Sequence, residues 1–189
     1  MKNLRHLILL IDFKGHPPLG DEHTNNLRYS ALNTLAFGLS KDLLEDFVFV
    51  SDHLDFHVEH EKVFEVKKMI TAENRHTWIN IDPDEPITVP EIVDMLKEKN
   101  IYINNVIIGG TNTAGCVLRS RPYSAIHWAE QGYNVKIFLQ MCAEYQMPGS
   151  NQAERNMHAY AEMWKEIKSQ GLIHKIDPVT NMTDLFKEK

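Results

Sequence analysis

Ile103-Asn-Asn-Val-Ile-Ile-Gly-Gly110, followed by Thr-Asn-Thr-Ala-Gly-Cys116, reads as a buried strand that runs through a glycine-rich turn into the start of a helix. Working outward, that helix is expected to reach about Gly132 and to feed a strand over Asn134–Leu139. Upstream, Thr88-Val-Pro-Glu91 opens another helix that ends near Asn100. Thr88 is its N-cap, Glu91 the capping-box partner, and Pro90 sits in the first turn, where a missing N–H costs nothing. Further strands are expected at His6–Asp12, Asp46–Ser51 and His76–Ile81, with a helix near Thr24–Leu39. A long helix over about Asn151–Gln170 closes at Gly171, and Leu172–Ile176 forms a last short strand. Continuous apolar strands alternating with helices predict an α/β fold. It is a three-layer doubly wound (Rossmann-like) domain over residues 1–189, with a five- or six-stranded mainly parallel sheet.

The chain of 189 residues has 20 Lys and Arg against 26 Asp and Glu, a net charge of -6. Its pI is near 5.9. No basic footprint favours nucleic acid or an anionic membrane surface, so neither is an expected partner. The apolar run Leu7–Ile11 is far too short to span a bilayer, and the residues before it carry no signal-peptide pattern. Two cysteines, Cys116 and Cys142, make no disulfide framework, which favours a reducing, cytoplasmic setting.

Ligands of doubly wound sheets bind beyond the carboxyl ends of the strands, which directs attention to Asp12 and to Cys116. An acid at the end of a buried strand needs a partner. A thiol at a helix N-terminus has its thiolate favoured by exposed N–H groups, and the same groups can receive an oxyanion. Carboxylate, thiol and oxyanion donors together make a cysteine-hydrolase constellation acting on a small molecule. The plainer alternatives are a Cys116 that is only a small buried hydrophobe, and a Gly109-Gly110 that is only a tight turn or a phosphate cradle. The spacing matches neither Gly-x-Gly-x-x-Gly nor a P-loop.

Leu9-Leu-Ile-Asp12, Ile107-Ile-Gly-Gly-Thr-Asn-Thr-Ala-Gly-Cys-Val117 and Gln131-Gly-Tyr-Asn-Val135 together resemble the isochorismatase-like cysteine hydrolases. Within that family the wording Thr113-Ala-Gly-Cys-Val117 is closest to members that hydrolyse carbamoyl or simple amide C–N bonds. The resemblance implies Cys116 as nucleophile, Asp12 as its proton acceptor, and an oxyanion hole from the N–H groups of Thr111 and Cys116. It also implies a cis peptide between Gly110 and Thr111, a homo-oligomer, and no obligatory cofactor.

Two features depart from the family pattern. Its third catalytic residue is a Lys near the end of strand three, and no lysine occurs between Lys68 and Lys97. Lys14, two residues after Asp12, is the leading substitute, with Lys67 and Lys68 behind it. Without a cation the chain becomes a binding or scaffolding protein on a hydrolase fold. The stretch from Cys116 to Gly132 is also about one helical turn long for the family, with Pro122 bending the helix and Arg119 and Arg121 available to an anion or a neighbouring subunit. Asp55, His57 and His60 are Zn-ligand types near an Asp-x-His pattern, with a solvated polar loop as the alternative. Tyr160, Met163 and Trp164 on the last long helix read as core or subunit contact.

Overall fold

The computed structural model describes residues 4–11, 47–52, 77–81, 87–144 and 147–185. Its strands are β1 (Leu4–Ile11), β2 (Phe47–Asp52), β3 (Thr77–Ile81), β4 (Tyr102–Thr111), β5 (Asn134–Ala143) and β6 (Ile176–Val179). Among the described residues they form one sheet in the order β3-β2-β1-β4-β5-β6, with every neighbouring pair parallel. The helices are α1 (Val89–Glu98), α2 (Ala125–Glu130), α3 (Gln152–Ser169) and α4 (Met182–Leu185), together with a π-helical segment over Thr113–Ser120. The helix expected near Thr24–Leu39 lies outside the described residues.

The unbroken apolar character of β1 follows from burial on both faces. Leu7, Leu9 and Ile11 join one core with Val48, Val50, Val106, Ile108, Val135 and Ile137, and α1, the π-helical segment, α2 and α3 close over it. Ile8, Leu10 and Ile107 point the other way and are equally inaccessible. Burying a side chain of this size contributes about 1.5–3 kcal/mol, so the central strands anchor the sheet. On the second face Lys136 Nζ donates to the carbonyls of Asp184 and Leu185, tying α4 to β5. Among the described residues no helix is long and apolar enough to cross a membrane.

Local sequence explains the element ends. The Glu91 carboxylate accepts both the backbone N–H and the hydroxyl of Thr88, fixing the start of α1. Asn151 caps α3 by accepting the Glu154 N–H, and Glu154 reaches back to the Ser150 N–H and hydroxyl. Tyr133 ends α2 by donating its N–H to the Trp128 carbonyl, and its ring meets Trp128 edge-on at 5.1 Å. Of the group on α3, Met163 is core, Tyr160 packs against the core's margin, and Trp164 is exposed.

Three sequence expectations are corrected. The helix after Cys116 is not continuous: the π-helical segment stops at Ser120 and α2 starts afresh after Ser124. The cause is Pro122, whose ring disfavours helical backbone in the preceding residue; Arg121 accordingly sits at ψ 144. The last strand is Ile176–Val179 rather than Leu172–Ile176. It contains Pro178, tolerated because β6 lies at the edge of the described sheet. Strand β5 runs past Leu139 to Ala143, since a bulge sets four of its residues, Phe138–Met141, against the single Gly109 of β4.

Candidate active site at the carboxyl ends of β1 and β4

The chain leaves β1 toward β2 and leaves β4 toward β5, in opposite directions along the sheet. The crevice between β1 and β4 is therefore the switch point where ligands of such sheets bind. Register pairs Ile11 with Gly110, so β1 and β4 end side by side. Asp12 follows Ile11 in the chain and lies outside the described residues, as do Lys14, Lys67 and Lys68 and the metal candidates Asp55, His57 and His60.

Gly109 and Gly110 are not a turn. Both lie inside β4, which continues to Thr111. A Cβ on Gly109 would press on the Cβ and Cε of Met141 from the β5 bulge. A Cβ on Gly110 would overlap the carbonyl oxygen of Ile11, and Gly110 holds φ at +156°, a conformation side chains rarely adopt. The pair lets three backbones converge, with Gly110 against the end of β1 and Thr111 beside Ala143 at the end of β5. That reading replaces the phosphate cradle: the two glycines face strand neighbours rather than open a loop.

Beyond Thr111 the chain turns into the π-helical segment. The N–H groups of Gly115 and Val117 both donate to the Asn112 carbonyl, at 3.1 and 3.2 Å. The Val117 bond spans five residues and gives the segment its wide winding. Cys116 lies between these two donors, partly buried against the core. Cys142 differs in kind: it is 3% exposed and its thiol donates to the Phe138 carbonyl at 3.3 Å. Nearby Tyr160 has its hydroxyl pKa pushed strongly up by burial and then by Cys142.

The first turn also contains a group that sequence reasoning missed. Glu144, one residue past β5 and 1% exposed, accepts the Ala114 N–H through Oε2 at 3.3 Å. Its own backbone is held by α3: Glu144 N–H donates to Asn156 Oδ1, and Gln152 Nε2 donates to the Glu144 carbonyl. The sequence signal was an acid directly after an apolar strand, hidden because the strand was expected to end at Leu139. The picture of open N–H groups around the thiol is corrected accordingly, since those of Ala114, Gly115 and Val117 are engaged. Thr113 is fully buried and its hydroxyl finds no hydrogen-bond partner among the described residues. Arg119 reaches Glu166 on α3 at 3.6 Å with its side chain half exposed, a pairing of small energetic weight.

The fold is that of the isochorismatase-family hydrolases. The chain superposes on the nicotinamidase of Staphylococcus aureus with a TM-score of 0.58 at 16% identity, covering 93% of this chain and 99% of that one. An isochorismatase-like hydrolase from Alkaliphilus metalliredigens gives 0.54 at 17% identity, over 93% and 94% of the two chains. N-carbamoylsarcosine amidase from Thermoplasma acidophilum gives 0.52 at 12%, over 94% and 96%. No protein-family model matches the sequence, and no curated protein matches it either.

Proposed function

We propose that this chain is a three-layer doubly wound isochorismatase-like cysteine hydrolase that cleaves a small amide or carbamoyl-type C–N bond. The observation that carries the reading is the convergence at Gly110. It seats the nucleophile's segment immediately beyond the paired ends of the two central strands, and the next residue of β1's chain is Asp12. Solved hydrolases described as a nicotinamidase and an N-carbamoylsarcosine amidase share the fold, and both names denote attack on a carbonyl bonded to nitrogen.

In this mechanism Asp12 takes the thiol proton and the Cys116 thiolate attacks the carbonyl carbon. The oxyanion of the tetrahedral intermediate is held by the N–H groups of Thr111 and Cys116, across a cis Gly110-Thr111 peptide. Collapse breaks the C–N bond, and Asp12 returns its proton to the departing amine. Water, deprotonated by the same carboxylate, then cleaves the thioester and frees the acid. Lys14 supplies the positive charge that lets carboxylate and thiolate coexist. These steps are carried by the chain's own residues.

The test is ammonia release from a panel of small primary amides and N-carbamoyl compounds. Turnover should vanish in Cys116→Ser and Asp12→Asn and fall steeply in Lys14→Ala. Wild-type turnover that survives Cys116→Ser refutes the mechanism.

A further inference from the structure

We propose that Glu144 is a positioning residue of the Cys116 site: its carboxylate clamps the first turn of the nucleophile's segment and sets the field in which the thiol ionises. The inference rests on the reading of Cys116 as the nucleophile.

The clamp joins three elements. Pairing of Thr111 with Ala143 brings Glu144 directly past the strand end, level with the start of the segment. Oε2 then accepts the Ala114 N–H, two residues before Cys116. Asn156 and Gln152 fix the Glu144 backbone from α3, and Gln152 Nε2 also donates to Asn156 Oδ1 at 2.9 Å, so the stretch that carries the carboxylate is anchored to α3. An amide side chain would offer the Ala114 N–H the same acceptor without the cost of burying a carboxylate that is 1% exposed. What the acid adds is negative potential at the first turn, which opposes the macrodipole acting on the thiol. A nucleophile tuned this way keeps a higher proton affinity and, as thiolate, a greater intrinsic reactivity.

Among the described residues, the ionisable groups not exposed on elements packed against the segment are Lys136 and Cys142 on β5, His127 on α2, Glu154, Arg155, Tyr160 and Glu166 on α3, and Tyr102 at the far end of β4; Asp12 and Lys14, which the proposed mechanism brings to the thiol, lie outside them. Arg119 and Arg121 belong to the segment and its end, and Arg119 is paired with Glu166. The Glu144 carboxylate bonds the first turn itself, at the Ala114 N–H.

The experiment is the pH profile of Cys116 alkylation by iodoacetamide in the full chain, read by mass spectrometry, for wild type and Glu144→Gln. Gln keeps an acceptor for the Ala114 N–H and removes the charge. Its alkylation midpoint should fall by about 0.5–1 pH unit, the scale of one nearby charge in a partly screened site. Superimposed profiles overturn the proposal, including in a protein that hydrolyses amides. A shift in a protein with no amide turnover upholds the role of Glu144 and sinks the hydrolase reading instead. If Glu144→Gln does not fold, hydrogen exchange of the Ala114 amide in the wild type decides the clamp. Strong protection is expected, and exchange as fast as that of an exposed turn overturns it.

Discussion

Replacing Gly110 by Ala should be strongly destabilising, whereas the same change at Gly132 should be mild. Gly132 holds φ at +92° but has open space around the new methyl. Only the backbone penalty applies there, about 1 kcal/mol. Gly110 carries that penalty and, in addition, drives its methyl into the Ile11 carbonyl. That carbonyl belongs to a central strand hydrogen-bonded on both sides, so neither β1 nor β4 can yield without breaking the sheet. Overpacking of this kind costs about 1–3 kcal/mol, giving a total of roughly 2–4 kcal/mol. Against a total stability of about 5–15 kcal/mol for a domain, that is a large share. In urea, at about 2 kcal/mol per molar, the midpoint should fall by about 0.5 M for Gly132→Ala and about 1–2 M for Gly110→Ala, with unchanged slope. Equal shifts for the two variants would refute the argument that β1 and β4 are held at backbone contact.

Other variants probe separate features. Thr113→Val removes a buried hydroxyl that has no partner among the described residues, so denaturation should show it neutral or more stable by up to about 1 kcal/mol; a clear loss would reveal a bond to that oxygen. His6 is held below its ordinary value of 6.5, first by burial and second by the positive Lys136. Below that pH the unfolded chain takes up a proton that folded His6 resists, so its contribution is full above 6.5 and is lost as pH falls. Urea midpoints measured against pH should therefore drop more in the wild type than in His6→Gln, and Lys136→Met should move the His6 ring titration upward by NMR. Cys142→Ala should lower stability by about 1–2 kcal/mol through its buried volume and lost bond while leaving amide turnover in place, as stopped-time ammonia assays would show.

The parts of the fold legible in sequence are those where one local rule acts alone. Leu7–Ile11 and Val106–Ile108 announce buried parallel strands because both faces need apolar groups. Thr88 and Glu91 announce a helix start because the cap is made within four residues. The misread elements are those where tertiary contact overrides the local pattern. The sequence reading ends β5 at Leu139, yet the bulge against Gly109 carries the strand on to Ala143. Asp177 and Pro178 lie beyond the expected Leu172–Ile176 strand and pair with Lys136 and Ile137 at the edge of the described sheet. At the site, the Gly-Gly-to-Cys spacing pointed to Cys116, but nothing local tells that Glu144, distant in sequence, closes onto Ala114.

The winding of Thr113–Ser120 gives the molecule an uneven temporal character. Bonds that reach five residues back hold a wider, looser coil than the ladder of α3, so this coil should unlatch more often than the sheet beneath it. Cys116 thus rides on a spring set upon a fixed floor. The floor of β1 and β4 keeps the address of the thiol constant, while the spring lets the same thiol shift about it.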